Sequence, residues 1–293
     1  MTRSRATAIG FTAVLLWSSL ALLTVGTAPV PPFQLSAMTF AIGGAVGLAW
    51  VTRNGFAQLR GIGWRAWGCG TLGLFGYHAL YFSALRLAPA AEAGLIAYLW
   101  PLFIVLLSGL LPAERLGRMH IAGALIALAG AALIVLGAEA SFDHQALPGY
   151  GLALAAAVTW ALYSVGARRM ASVPTAAVAV YCLATASLSL AAHLVWEATV
   201  WPQGVPGWLS VAALGLGPVG IAFLTWDIGM KRGDIQLLGV ASYAAPLLST
   251  MLLVLAGIAP ATATLALAGV LITLGAALAA RASAGRVTPA TGG

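Results

Sequence analysis

The sequence predicts an all-α polytopic membrane protein: ten transmembrane helices in two inverted five-helix repeats, with both termini cytoplasmic. Three observations carry this reading. The 293 residues are 61% hydrophobic and 7% charged, with mean hydropathy +0.97, whereas soluble chains carry roughly 25% charged residues. The apolar residues gather into runs of about 20, the length a helix needs to cross a hydrocarbon core. Two stretches also recur at a constant step of 145 residues: Gly94, Tyr98, Pro101 and Leu102 return as Gly239, Tyr243, Pro246 and Leu247. A fixed-step recurrence marks a duplicated unit.

The first run, 7–27, follows Arg3 and Arg5 and has the outline of a secretory leader. Trp17 within it has a counterpart, Trp160, at nearly the same step, so the run is read as the first span. Runs at 33–52, 64–85, 92–111 and 117–137 complete the first half. Gly43, Gly44 and Gly47 in the second run, and Gly123 and Gly130 in the fifth, are assigned to helix packing. Small residues let backbones approach where lipid provides no hydrophobic drive. The second half supplies 149–168, 174–195, 207–229, 236–257 and 262–281. The organisation expected is a first repeat over 1–138, an external linker over 139–148, a second repeat over 149–281 and a disordered cytoplasmic tail over 282–293.

Orientation follows from the basic residues, because loops rich in Lys and Arg stay cytoplasmic. With the N-terminus inside and ten spans, thirteen of the fourteen Lys and Arg residues fall on the inner side and only Arg86 on the outer. The net charge of +7 is therefore a topology signal, and nucleic acid is not an expected partner. The lipid bilayer is. Trp50, Trp64 and Trp67 near the inner boundary, and Trp196, Trp201 and Trp208 near the outer one, fit interfacial belts. Five is odd, so the second half starts on the opposite side of the membrane from the first. Inverted repeats of this kind let one protein adopt inward-open and outward-open shapes of similar energy.

A second set of aromatic residues lies at mid-span. Trp17 sits in the first run, Tyr77, His78 and Tyr81 in the third, and Trp160 and Tyr163 in the sixth. Spacings of three and four put Tyr77 with Tyr81, and Trp160 with Tyr163, on shared helix faces. A buried tyrosine hydroxyl or indole N–H wants a hydrogen-bond partner, so these rings are expected to turn toward a central cavity. Tyr98 and Trp100 precede Pro101, and Tyr243 precedes Pro246. Each mid-helix proline removes one donor and is expected to kink its span, leaving the carbonyls of Ala97 and Ser242 bare. Tyr98 and Trp100 are two residues apart, roughly 200° around a helix. Both therefore reach one cavity only if the kink rotates the helix. By the inverted symmetry, Tyr98 and Tyr243 are expected at opposite gates.

Charged groups inside spans mark function by default. Asp227 and Lys231, four apart at an inner helix end, are read here as a structural pair, and Glu92 and Arg86 as water-exposed groups flanking the outer loop. No catalytic motif, no metal-spaced cluster and no cofactor fingerprint is present in the sequence. Cys69 and Cys182 lie in apolar runs and behave as small hydrophobes. An enzyme is not expected.

The residues carry a resemblance. Met1-Thr2-Arg3, Leu16-Trp17-Ser18, Tyr98-Leu99-Trp100-Pro101, Trp160-Ala161 with Tyr163, Trp226 with Gly229, and Ser242-Tyr243 before Pro246 run through most of the chain. This pattern resembles the drug/metabolite transporter superfamily, whose repeat is the EamA domain, and within it the bacterial aromatic amino-acid exporters of the YddG type. The resemblance implies an inner-membrane carrier whose small-molecule substrates are aromatic and other neutral amino acids. It also implies that Trp17, Tyr98, Trp100, Trp160, Tyr163 and Tyr243 contact the substrate. The alternatives are an exporter of lipophilic aromatic cations resembling methyl viologen and, outside carriers, a channel-like pore or a membrane scaffold.

Overall fold

The computed structural model describes residues 1–112, 114–136, 143–257 and 260–284. In chain order the helices are α1 (Arg3–Trp17), α2 (Leu20–Gly26), α3 (Pro32–Asn54), α4 (Trp64–Leu87), α5 (Ala90–Ala97), α6 (Trp100–Ser108) and α7 (Arg118–Leu136). The second half continues with α8 (Leu147–Arg169), α9 (Ala177–Trp196), α10 (Gly204–Leu216), α11 (Ala222–Arg232), α12 (Ile235–Ala241), α13 (Ala244–Leu255) and α14 (Ala263–Ala284). No strand occurs among the described residues. Among the described residues, nine segments are long and apolar enough to cross a membrane. The 24-residue α4 is not among them; it carries Arg65 and Arg86 at its ends and the polar rings of Tyr77, His78 and Tyr81. α14 continues to Ala284, past the boundary expected at 282; residues 285–293 lie outside the described residues, as do 137–142 of the expected first boundary and linker.

Four apolar runs are interrupted helices, and each break has a local cause. Between α1 and α2, the hydroxyls of Ser18 and Ser19 donate to the carbonyls of Leu15 and Leu16 at 2.6 and 2.7 Å. Such back-bonding competes with the helical ladder. Pro101 and Pro246 break the two symmetric runs at Tyr98–Leu99 and Ser242–Tyr243, just upstream of each ring. Upstream of the break nothing needs the missing N–H, so proline sits comfortably in the first turn of the new helix. Between α10 and α11, Gly217–Ile221 forms a π-helical turn containing Pro218.

The two halves do not sit side by side. The closest helix pairings are α7 with α14, α3 with α9, α4 with α8 and α1 with α11, each joining one helix from each half. Exchanging the halves maps this set of pairings onto itself, as a pseudo-two-fold relation requires. Close approach depends on glycine at two of these contacts. A Cβ on Gly229 would stand 2.6 Å from the Gly10 Cα, and one on Gly123 would stand 2.6 Å from the Gly275 carbonyl oxygen. The largest buried cluster gathers around Trp100, Trp160, Trp226 and Phe223; a second lies between α6, α7, α12 and α14 and contains Tyr243.

Candidate functional site

Three indoles from three spans meet at the centre. The Trp17 ring lies 5.8 Å from Trp160 and 6.2 Å from Trp100, and Trp100 lies 6.2 Å from Trp160. All three contacts are edge-to-face, the arrangement that brings the positive ring edge to the negative ring face. Two further rings complete the group: Trp226, 5.0 Å from Trp17, and Phe223, 5.7 Å from Trp160. Two of the four indole N–H groups are satisfied locally. Trp226 Nε1 donates to the Ser164 hydroxyl at 3.1 Å, and Trp17 Nε1 donates to the Pro218 carbonyl at 3.0 Å. That carbonyl belongs to the π-helical turn, a feature that concentrates at functional positions in helices.

Above this group α4 presents Tyr77, stacked on Tyr81 with the rings 6.0 Å apart and 5.2 Å from Trp160. His78 binds the Leu74 carbonyl through Nδ1 at 2.7 Å and sits edge-on to Phe40 at 4.9 Å. Every residue from 75 to 83 is half-buried, so no face of this part of α4 is sealed. Trp17 and Tyr98 are also half-buried, whereas Trp100, Trp160 and Tyr163 are buried. The buried indoles thus form a floor, and the rings of Trp17, Tyr77, His78 and Tyr81 stand over it with part of their surface open.

The sequence-derived candidates separate into three places. Trp17, Tyr77, His78, Tyr81, Trp100 and Trp160 come together in or on the aromatic group. Tyr163 contacts Trp160 at 5.3 Å but also lines a small pocket of about 10 Å³ with Asp227, Lys231 and Tyr181. Tyr98 and Trp100 do diverge: Trp100 joins the floor and Tyr98 packs on the second cluster. Tyr243 stands apart from the aromatic group. It is 0% exposed in that second cluster, and its hydroxyl accepts the Leu102 N–H at 3.2 Å. Leu102 follows Pro101, so the tyrosine of one repeat inserts into the kink of the other. Tyr98, its repeat equivalent, makes no hydrogen bond through its hydroxyl to any described residue.

The kinks differ from expectation in the same asymmetric way. No described donor reaches the Ala97 carbonyl, but that of Ser242 is not bare: it accepts the Ala245 N–H at 3.0 Å in a tight turn. Glu92 is also not in water. It is 4% exposed in the first turn of α5, where a carboxylate suits the helix N-terminus. Arg86 pairs with the buried Glu197 at 2.8 Å. Asp227 and Lys231 do pair, at 2.8 Å, with Thr175 donating to the same carboxylate oxygen and Lys231 to the Val173 carbonyl. Trp226, Phe223 and Phe40 were missed as site residues. One signal was available: Trp226 is the 145-step counterpart of Tyr81.

Comparison with known proteins agrees with this architecture. The model of the EamA-like transporter family matches residues 5–136 and again 147–281. An aromatic amino acid exporter YddG from Ancylobacter novellus is 59% identical over 289 residues, covering 95% of this chain and 98% of that protein. The aromatic amino acid exporter YddG of Salmonella typhimurium is 27% identical over 266 residues, covering 86% and 88%. A solved crystal structure with 57% identity superposes with a TM-score of 0.92 over 97% of this chain and 100% of the other. Two matched repeats, a polytopic all-helical fold and a relative identical at more than half of its positions place the chain in the EamA-like transporter family, within the drug/metabolite transporter superfamily, as a multi-pass membrane protein.

Proposed function

We propose that this protein is a bacterial inner-membrane carrier that exports aromatic and other neutral amino acids from the cytoplasm by alternating access. The observation that carries the reading is the partly open aromatic group: indole edges and faces from three spans beneath Tyr77, His78 and Tyr81. An aromatic side chain gains from offset or edge-on stacking in such a group. The Ala97 carbonyl at the first kink is a fitting acceptor for an α-ammonium. Both closely related exporters are named for aromatic amino acids. Asp227, which lines a small pocket with Tyr163, is occupied by Lys231, which favours neutral and zwitterionic substrates over lipophilic cations.

The membrane topology we infer has ten spans, N-terminus and C-terminus inside, with α4 as the tenth beside the nine apolar segments. At 24 residues it is about 36 Å long, enough to cross. Tyr243, fully buried on the opposite kink, belongs to the gate facing the cytoplasm, and half-buried Tyr98 to the gate facing outward. The action is transport without covalent chemistry. Counterflow of labelled tryptophan into proteoliposomes tests the reading. Saturable counterflow that phenylalanine competes is the expected result; absence of counterflow with correctly assembled protein refutes it.

A further inference from the structure

The cytoplasmic ends of the helices that build the aromatic group are tied by charge. Arg3, at the start of α1, reaches Glu114 Oε2 at 3.1 Å and Asp234 Oδ2 at 3.3 Å. Arg168, in the last turn of α8, reaches Glu114 Oε1 at 3.5 Å and donates to the Gly233 carbonyl. Asp234 caps α12 through the Leu237 N–H at 2.9 Å, and its own N–H donates to the Thr7 hydroxyl at 2.8 Å. Glu114 lies just after α6. One network therefore joins α1, α6, α8 and α12. The first three carry Trp17, Trp100 and Trp160, and Tyr243 follows the fourth.

The network is half-wet. The side chains of Glu114 and Asp234 are 3% and 10% exposed, whereas that of Arg3 is 44% exposed. The acids are held in place by packing, and the arginine that bridges them is within reach of water and salt. This differs from Asp227 and Lys231, which are both buried and lie on a single helix. A bond between elements that stay together holds a structure. A breakable bond between elements that must separate is a latch.

We propose that Arg3, Glu114, Arg168 and Asp234 are the cytoplasmic gate residues of the transport cycle, forming a latch that opens before substrate loads from the cytoplasm. The proposal rests on the alternating-access reading given above. The repeat makes it one-sided. At the 143-residue step set by Trp17 and Trp160, Arg3 corresponds to Ala146 and Arg168 to Val25. At the 145-residue step, Glu114 corresponds to Ala259 and Asp234 to Pro89. All four counterparts are apolar, so closing the outer mouth by the symmetric motion forms no equivalent of this four-residue network; the ion pair on that side, Arg86 with Glu197, joins other helices, α4 and the end of α9. The empty carrier accordingly rests closed to the cytoplasm, and high salt loosens that side.

The test reads cysteine labelling rather than transport. In a background carrying Cys69→Ala and Cys182→Ala, a single reporter, Ala6→Cys, is placed at a fully buried position one turn above Arg3. A water-soluble maleimide is applied to the cytoplasmic face of inside-out vesicles. Arg3→Ala is expected to accelerate labelling roughly five- to thirty-fold, with Arg3→Lys intermediate. Raising salt from about 0.01 M to about 1 M, which cuts the Debye length from about 30 to about 3 Å, is expected to accelerate the parent and leave Arg3→Ala unchanged. Glu114→Gln, nearly isosteric, gives the same readout should Arg3→Ala fail to assemble. Labelling equal to the parent in both variants, while tryptophan on the opposite face still alters labelling, overturns the latch alone. Labelling that tryptophan alters in no variant overturns the alternating-access reading and the latch with it.

Discussion

The hydroxyl of Tyr243 is the sharpest point at which the structure makes a quantitative demand. Tyr243→Phe removes one oxygen and keeps the ring. Among the described residues the lost bond is the only one to the Leu102 N–H, and both partners are buried. In an unbroken helix this N–H would bond the Tyr98 carbonyl; the kink at Pro101 prevents that. A buried donor left without a partner costs about 1–3 kcal/mol. If the bond exists only while the cytoplasmic side is closed, the whole cost falls on that state. The closed-to-open equilibrium then shifts roughly 5- to 150-fold. The Ala6→Cys reporter reads this directly as labelling rate from the cytoplasmic face. Tyr98→Phe is the matched contrast: its hydroxyl makes no hydrogen bond to a described residue in this state, so its loss does not weaken the closed cytoplasmic side and labelling is expected not to rise above the parent. Equal labelling in Tyr243→Phe and parent would refute the idea that this tyrosine discriminates between states.

Other outcomes follow from the same geometry. Trp160→Ala is expected to abolish tryptophan counterflow but opens a cavity costing about 3–5 kcal/mol, so Trp160→Phe, which keeps most of the floor, should retain assembly and show a raised KM. Gly229→Ala places a Cβ 2.6 Å from the Gly10 Cα; a loss of about 1–3 kcal/mol should appear as a lower unfolding temperature in detergent, whereas Gly68→Ala, with nothing within 4 Å, should be neutral or stabilising. Asp227→Asn leaves Lys231 charged and buried without its partner, at a cost of about 3–5 kcal/mol, and should sharply reduce the yield of folded protein. The double variant Asp227→Asn with Lys231→Met should recover both yield and counterflow; recovered yield without counterflow would show that the pair takes part in transport rather than in packing.

Much of the site could be read from the chain because its signals are local. Tyr77 and Tyr81 share a face by spacing alone, and they stack. Trp17 and Trp160 could be matched because duplication left both indoles in place. The kinks at Pro101 and Pro246 were legible because proline acts on its own helix. The positions of Ser18 and Ser19 and the π-helical turn at Gly217–Ile221 were not read, since both depend on a competition between backbone and neighbouring groups that hydropathy does not register. Trp226 and Phe223 were passed over because a ring near an inner helix end looks like packing until the helix beside it is known.

Composition, charge placement and the repeat step are properties of the chain taken residue by residue, and they sufficed for a polytopic helical class, the family and the two kinks. Which half each helix packs against is a different kind of quantity. The sequence yields two consecutive repeats, but the closest pairings join α1 to α11, α3 to α9, α4 to α8 and α7 to α14 across the halves. That choice rests on where glycine backbones meet and which faces fit. So does the fate of two equivalent tyrosines: Tyr243 is sealed on the kink of the other repeat while Tyr98 stays half open. Identical residues at identical repeat positions carry the same sequence signal, and only the packing of a single asymmetric state separates them.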